Sequence, residues 1–146
     1  MKSGIVLGLA IFFVAQSFQN AEAKMSIPQV TNMLVPMRKT CTQKIGVSPE
    51  LVDAPKTGPM PDDPTLKCYY ACLLKMIKVV TKEGLPNFES MLKQMDIMLP
   101  ADDTTARLKE VINICAPQVT STEACEGNWQ FIKCFYETDK NVCFFP

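Results

Sequence analysis

Apolar residues recur at spacings of three and four along most of this chain, broken by short polar or proline-marked turns. Val30, Leu34 and Met37 lie on one face of a helix predicted from Pro28 to about Lys44, with Pro36 expected to kink or split it. Ser48 before Pro49 reads as an N-cap followed by proline at the first helical position, opening a short helix over "PELVDA". Gly58 to Pro61 is a turn, and Asp63-Pro64 repeats the cap-then-proline signal. The helix it opens carries Leu66, Tyr70, Leu73, Ile77 and Val80 as one stripe, with Gly84 and Pro86 as its stop. Asn87 caps the next helix, where Met91, Met95 and Met98 share a face and Pro100 ends the run. Asp102 or Asp103 caps a helix with Leu108, Val111, Ile112 and Cys115, ended by Pro117. Thr120 and Glu123 fit a capping box, and a last helix is expected from about Thr122 to Thr138 with Trp129, Ile132 and Phe135 apolar. Beyond it, "NVCFFP" is too apolar to stand in water and is expected to fold back. Strand-like alternation is scarce and no Asn-Gly or Asp-Gly hairpin signal occurs, so the fold class is all-α.

The N-terminus has a different pattern. Lys2 precedes the apolar run "IVLGLAIFFVA", and "AEA" at Ala21 to Ala23 supplies small residues for cleavage. This is the pattern of a secretory signal, too short for the roughly 20 residues of a membrane span. Residues 1–23 are therefore expected to be removed, leaving one domain over residues 24–146 in an extracellular compartment. No later run is apolar enough to make this an integral membrane protein. There is no Asn-x-Ser/Thr sequon.

Charge narrows the classes further. Acidic and basic residues balance at 15 each, with no basic block, so there is no footprint for nucleic acid. The chain has no histidine. That removes the usual general base and the commonest metal ligand, and a Ser-His-Asp or Cys-His site cannot be built. The doublets Asp62-Asp63 and Asp102-Asp103 each precede a helix, where capping accounts for them. No enzyme, metal or cofactor is expected.

All seven cysteines lie beyond residue 23. Cys68 and Cys72 are separated by three residues, not the two of a redox or zinc pair, and a secreted chain points to disulfides. Positions four apart on a helix hold their Cβ atoms about 5–6 Å apart, whereas a disulfide wants roughly 3.5–4.5 Å. Cys68 and Cys72 should therefore reach two different partners, making their helix a hub. Cys125 and Cys134, nine apart on one helix, are about 13 Å apart by rise and should not pair either. An odd count leaves at least one thiol over. Spacing alone does not decide the connectivity.

The series Cys41-x26-Cys68-x3-Cys72-x42-Cys115-x9-Cys125-x8-Cys134 resembles that of the insect odorant-binding proteins. The x3 and x8 gaps are its most diagnostic parts. "CYYAC", "GLPN" and the C-terminal "CFFP" resemble the pheromone- and general-odorant-binding branch in particular. The resemblance implies a compact six-helix domain around one apolar cavity, locked by three interlocked bridges. Carried over, these are Cys41–Cys72, Cys68–Cys125 and Cys115–Cys134. It implies a secreted carrier of odorants or pheromones, with a small apolar ligand (alcohol, aldehyde, ester or fatty-acid-like) and an odorant receptor as partners.

This chain departs from that pattern twice. Cys143 is a seventh cysteine, left as a free thiol: burial as a small apolar residue is the simplest expectation, and a tether to a second chain, giving a dimer, and competition in disulfide shuffling are the alternatives. The lack of histidine removes the His-linked acid release described for some relatives. Any pH response must come from carboxylates such as Asp139 or Glu137, or from the chain terminus.

The expected pocket residues follow from the stripes and the resemblance together. Tyr70, Leu73 and Ile77 come from the hub helix, and Met91, Met95 and Met98 from the next. Ile112 comes from the fifth helix, Trp129, Ile132 and Phe135 from the last, and Phe144 and Phe145 close one end. Methionine suits a pocket that adapts to varied shapes, although it also fills gaps in ordinary cores. The Tyr70 hydroxyl can give one hydrogen bond to a ligand oxygen. The rival reading is a protein-binding or defence effector on the same scaffold, acting in a non-sensory fluid.

Overall fold

The computed structural model describes residues 24–145. The proposed signal segment and its cleavage point lie outside them. Six α-helices follow one another: α1 (Ile27–Ile45), α2 (Pro49–Asp53), α3 (Pro64–Met76), α4 (Phe88–Met98), α5 (Asp103–Cys115) and α6 (Ala124–Thr138). Short 3-10 turns follow α2, α5 and α6, and the described residues hold no strand beyond an isolated bridge between Val80 and Pro86.

The helix starts obey local chemistry. Ser48 accepts from the Leu51 amide, Asp63 from Thr65 and Leu66, Asn87 from Ser90, and Asp102 from Thr105. Each side chain satisfies amides that a helix N-terminus leaves open. Asp62, the other half of its doublet, pairs with Lys67 at 2.6 Å.

Three boundaries differ from expectation. Pro36 does not split α1, because it sits on the exposed face. The carbonyl of Asn32, deprived of its amide partner, is on that same wet side. α3 stops at Met76 and does not continue to Gly84. Lys78 adopts φ 60°, and the Val79 amide reaches back to the Leu74 carbonyl at 3.1 Å, closing the helix in a left-handed turn. The β-branched run Val79-Val80-Thr81 that follows favours extended backbone over helix. The Thr120–Glu123 capping box does not form. Both the Thr120 and Ser121 amides bond Gln130 Oε1 instead, and α6 begins at Ala124.

α3 and α6 make the most extensive helix pair, with α1 packed on the other side of α3. Three disulfides fix this arrangement: Cys41–Cys72 joins α1 to α3, Cys68–Cys125 joins α3 to α6, and Cys115–Cys134 joins α5 to α6. Gly127 permits a close approach on α6, since a Cβ there would meet Leu85 Cδ2 at 2.8 Å. Asn128 beside it donates to the Gly84 carbonyl at 2.7 Å, pinning the α3–α4 connection to α6.

Candidate functional site

The core does not fill the space enclosed by α1, α4, the end of α3 and the last two turns of α6. A cavity of about 240 Å³ remains. The exit of α3 supplies Leu74, Ile77 and Val79, and α4 supplies Met91, Met95 and Met98. Ile112 enters from α5, and Phe131 and Phe135 from α6. Ile27, Val30, Met33, Leu34 and Met37 line it from α1, and Leu99 completes the α4 side.

The C-terminal segment closes one end. Phe144 and Phe145 stack with ring centroids 5.0 Å apart, and both line the cavity. Thr31 of α1 donates to the Phe144 carbonyl at 3.2 Å. Upstream, Asp139 accepts from Arg107 Nε at 2.9 Å and from the Asn141 amide at 3.1 Å, so the segment is fastened to α5. The hydrogen bond from Arg107 holds the Asp139 carboxyl below its ordinary range. At the other end, Met25 N–H donates to the Met98 carbonyl at 2.7 Å, and the Lys24 ammonium caps the Asp96 and Ile97 carbonyls at 2.6 Å each.

Gln94 is the single polar side chain in the cavity wall. Its Nε2 donates to the Ile77 carbonyl at 3.1 Å, which leaves Oε1 as an acceptor. Nothing in the lining is charged. The surroundings favour an apolar guest with at most one weakly donating group.

Of the twelve residues expected at a pocket, eight line this cavity: Ile77, Met91, Met95, Met98, Ile112, Phe135, Phe144 and Phe145. Tyr70, Leu73, Trp129 and Ile132 do not. The hub helix is held in rotation by Cys68 and Cys72 reaching opposite neighbours, so Leu74 faces the cavity, one residue and about 100° away from Leu73, and Ile77 joins it only from the cap that follows α3. Leu73 is wholly buried core. Trp129 packs against Tyr70 with centroids 6.1 Å apart and is covered by the Lys67 ammonium 5.9 Å from its ring. On α6 the cavity side is Phe131 and Phe135, and Ile132 falls on the next face. Tyr70 and Ile132 instead border a separate crevice.

The largest omission from the expected pocket is α1. Its stripe at Ile27, Val30, Leu34 and Met37 has spacings of three, four and three, legible as a buried face but not as a cavity wall. Gln94 could have been found as the polar position beside Met91, Met95 and Met98 on the face they share.

Cys143 is unpaired and half-buried near the C-terminal segment, and burial pushes its thiol above the ordinary value. Tyr69, fully buried edge-on to Tyr70, has its phenol pushed up to about 12 by the same cause.

A model of the PBP/GOBP family matches residues 23–138. General odorant-binding protein 72 of Anopheles gambiae is 32% identical over 108 residues, which cover 73% of this chain and 88% of that protein. General odorant-binding protein 19a of Drosophila melanogaster is 40% identical over 80 residues, 54% of this chain and 53% of its own. Among solved structures, odorant binding protein 5 of Apis mellifera superposes with a TM-score of 0.74 at 32% identity, covering 84% of this chain and 99% of that one. Odorant binding protein 4 of Chrysopa pallens gives 0.73 at 26% identity with the same coverage.

Proposed function

The chain belongs to the PBP/GOBP family, and from that premise we propose that it is a secreted carrier which holds a small apolar molecule in the cavity between α1, α4 and α6, and delivers it to, or buffers it around, chemosensory receptors. The observation that carries the reading is a cavity of about 240 Å³ whose lining is apolar apart from one glutamine. Carriage of this kind needs no covalent step. Burial contributes about 0.8 kcal/mol per CH₂, so a ligand of about ten carbons gains gross energy on the order of the 8 kcal/mol that micromolar binding represents. Immobilising the ligand opposes this, which places short ligands well above micromolar dissociation constants.

The same lining argues for adaptable specificity. Four of its methionines, Met33, Met91, Met95 and Met98, carry unbranched, flexible thioethers, side chains suited to re-packing around guests of different outline. Gln94 Oε1 supplies one place for an alcohol proton.

The test is displacement. Oxidised protein is titrated with an apolar fluorescent reporter, which is then competed by C6 to C18 alcohols, aldehydes, esters and acids. One saturable site with competitive displacement is the expected result. In Gln94→Leu protein, alcohols lose about threefold to tenfold in affinity while hydrocarbons of equal length do not, the range expected for one neutral hydrogen bond. Absence of saturable binding by protein holding all three bridges refutes the carrier reading.

A further inference from the structure

Phe145 is a wall with two sides. One side faces the apolar cavity, and the other faces a second cavity of about 320 Å³ between the turn after α2, α3, α6 and the C-terminal segment. The apolar part of this crevice is made by Val52, Pro55, Met60 and Ile132 together with Phe145. Its polar part has a different character from anything in the first cavity.

Tyr70, Lys56, Lys140, Asn141 and Cys143 all line it, and no aspartate or glutamate does. These groups are donors, or in the case of asparagine carry one. Tyr136 also borders the crevice, but its hydroxyl is already donated to the Pro55 carbonyl. Lys56 is partly committed to Asp53 at 2.7 Å, at the edge of the site. Asn141 is partly committed to Asp139, but among the described residues neither the Tyr70 hydroxyl nor the Lys140 ammonium makes a side-chain hydrogen bond or ion pair. Tyr70 is the informative one, because it is only 5% exposed. Its hydroxyl makes no hydrogen bond and is not among the fully enclosed unpartnered atoms, so the part of it that stays accessible opens on the crevice. Burial raises the affinity of both Tyr70 and Cys143 for their protons, so both remain donors at neutral pH.

We propose that this crevice is a second binding site, taking the carboxylate of a short- to medium-chain fatty acid, with Tyr70 and Lys140 as its principal donors. An ionised carboxylate only accepts hydrogen bonds, which matches a lining of donors without acids. An alcohol would bring a proton for which few acceptors are free. The apolar wall accommodates a chain, and a volume near the low end of ligand pockets, about 300 Å³, limits its length. The site stands whether or not the first cavity carries odorants.

The test uses oxidised protein recovered from expression of the full chain. Sodium octanoate is titrated calorimetrically at pH 7.5 and low salt, with the apolar reporter present at saturation and again without it. One octanoate binds with the reporter still in place, and 1-octanol does not substitute for it. Lys140→Ala and Tyr70→Phe each weaken octanoate by about tenfold, as for a hydrogen bond to a charged group. The reporter's affinity in Lys140→Ala protein is unchanged, and this surface variant retains the test if the buried Tyr70→Phe fails to fold. Displacement of the reporter mole for mole, no octanoate binding, or equal binding by wild type and Lys140→Ala overturns the proposal.

Discussion

α3 and α4 both present apolar faces toward the middle of the molecule, yet they are held there by different means. α3 carries two cysteines, and both are bonded to neighbouring helices. α4 carries none, alone among the five longer helices. Its attachments are contacts with α5, the cap from Asn87, the Gln94 bond to the Ile77 carbonyl, the ion pair between Asp96 and Lys109, and, from the lead into α1, one backbone bond and two bonds from the Lys24 ammonium. The C-terminal segment resembles α4 in this respect, since its one cysteine is free. The cavity lies where the bridged half meets the unbridged one. A frame of crosslinked helices fixes its position, while methionines and two phenylalanines on unbridged elements set its shape.

Removing a bridge from the frame is the largest change this contrast predicts. Cys68→Ala with Cys125→Ala frees α3 from α6, and loss of such a bridge costs about 2–5 kcal/mol. Thermal unfolding of the oxidised double variant should move down by many degrees. A loss below about 0.5 kcal/mol would mean that helix packing fixes the frame without help from the crosslink.

Cutting into the wall should do the reverse, changing binding more than stability. Phe144→Ala removes one of two stacked rings at the end of the cavity. The Phe145 ring edge-on to Tyr70 and the Thr31 bond to the 144 carbonyl hold the segment, so unfolding shifts little. Affinity for chains long enough to reach that end should fall about tenfold, or about 1.4 kcal/mol. Short ligands, which do not reach it, should be unaffected. Displacement across a series of chain lengths gives both values, and a uniform loss at every length would place the effect in the whole fold rather than in the end wall.

The same division explains what was legible in the sequence. Local signals placed the elements well: Ser48, Asp63, Asn87 and Asp102 are caps, and each does what its side-chain chemistry requires. The cysteine argument recognised α3 as a hub because the incompatibility of i, i+4 pairing is a matter of distance alone. The pocket was only half legible. Periodicity tells which face is buried and does not tell whether the buried face meets another side chain or an empty volume. Leu73 and Leu74 are one residue apart and equally buried, and only the rotation set by two bridges puts the second at the cavity. The stripe of α1 looks the same as core for that reason. Tyr70 was singled out for its hydroxyl, and its ring turned out to border the crevice on the far side of Phe145.

The smallest effect predicted is that of pH, and its sign follows from the attachment of the C-terminal segment. Asp139 is held below the ordinary carboxylate range chiefly by its hydrogen bond from Arg107, with the Asn141 amide assisting. A carboxyl whose folded value is depressed contributes stability that is complete above its unfolded value, near 4, and is lost as pH falls through the folded value. The pair is close to the surface and shares Arg107 with Glu110, so its contribution is modest. Asp53, held down mainly by its hydrogen bonds with Arg38, behaves the same way for the α1–α2 junction. With no histidine in the chain, nothing else at the end wall titrates between pH 5 and 8 by its ordinary value. Ligand affinity should therefore stay level from pH 7.5 to about 5 and decline only below about pH 4. Asp139→Asn should lower affinity a few-fold at neutral pH and flatten the acid decline. An affinity already halved at pH 5.5 would show that the unbridged wall is controlled by a group other than this ion pair.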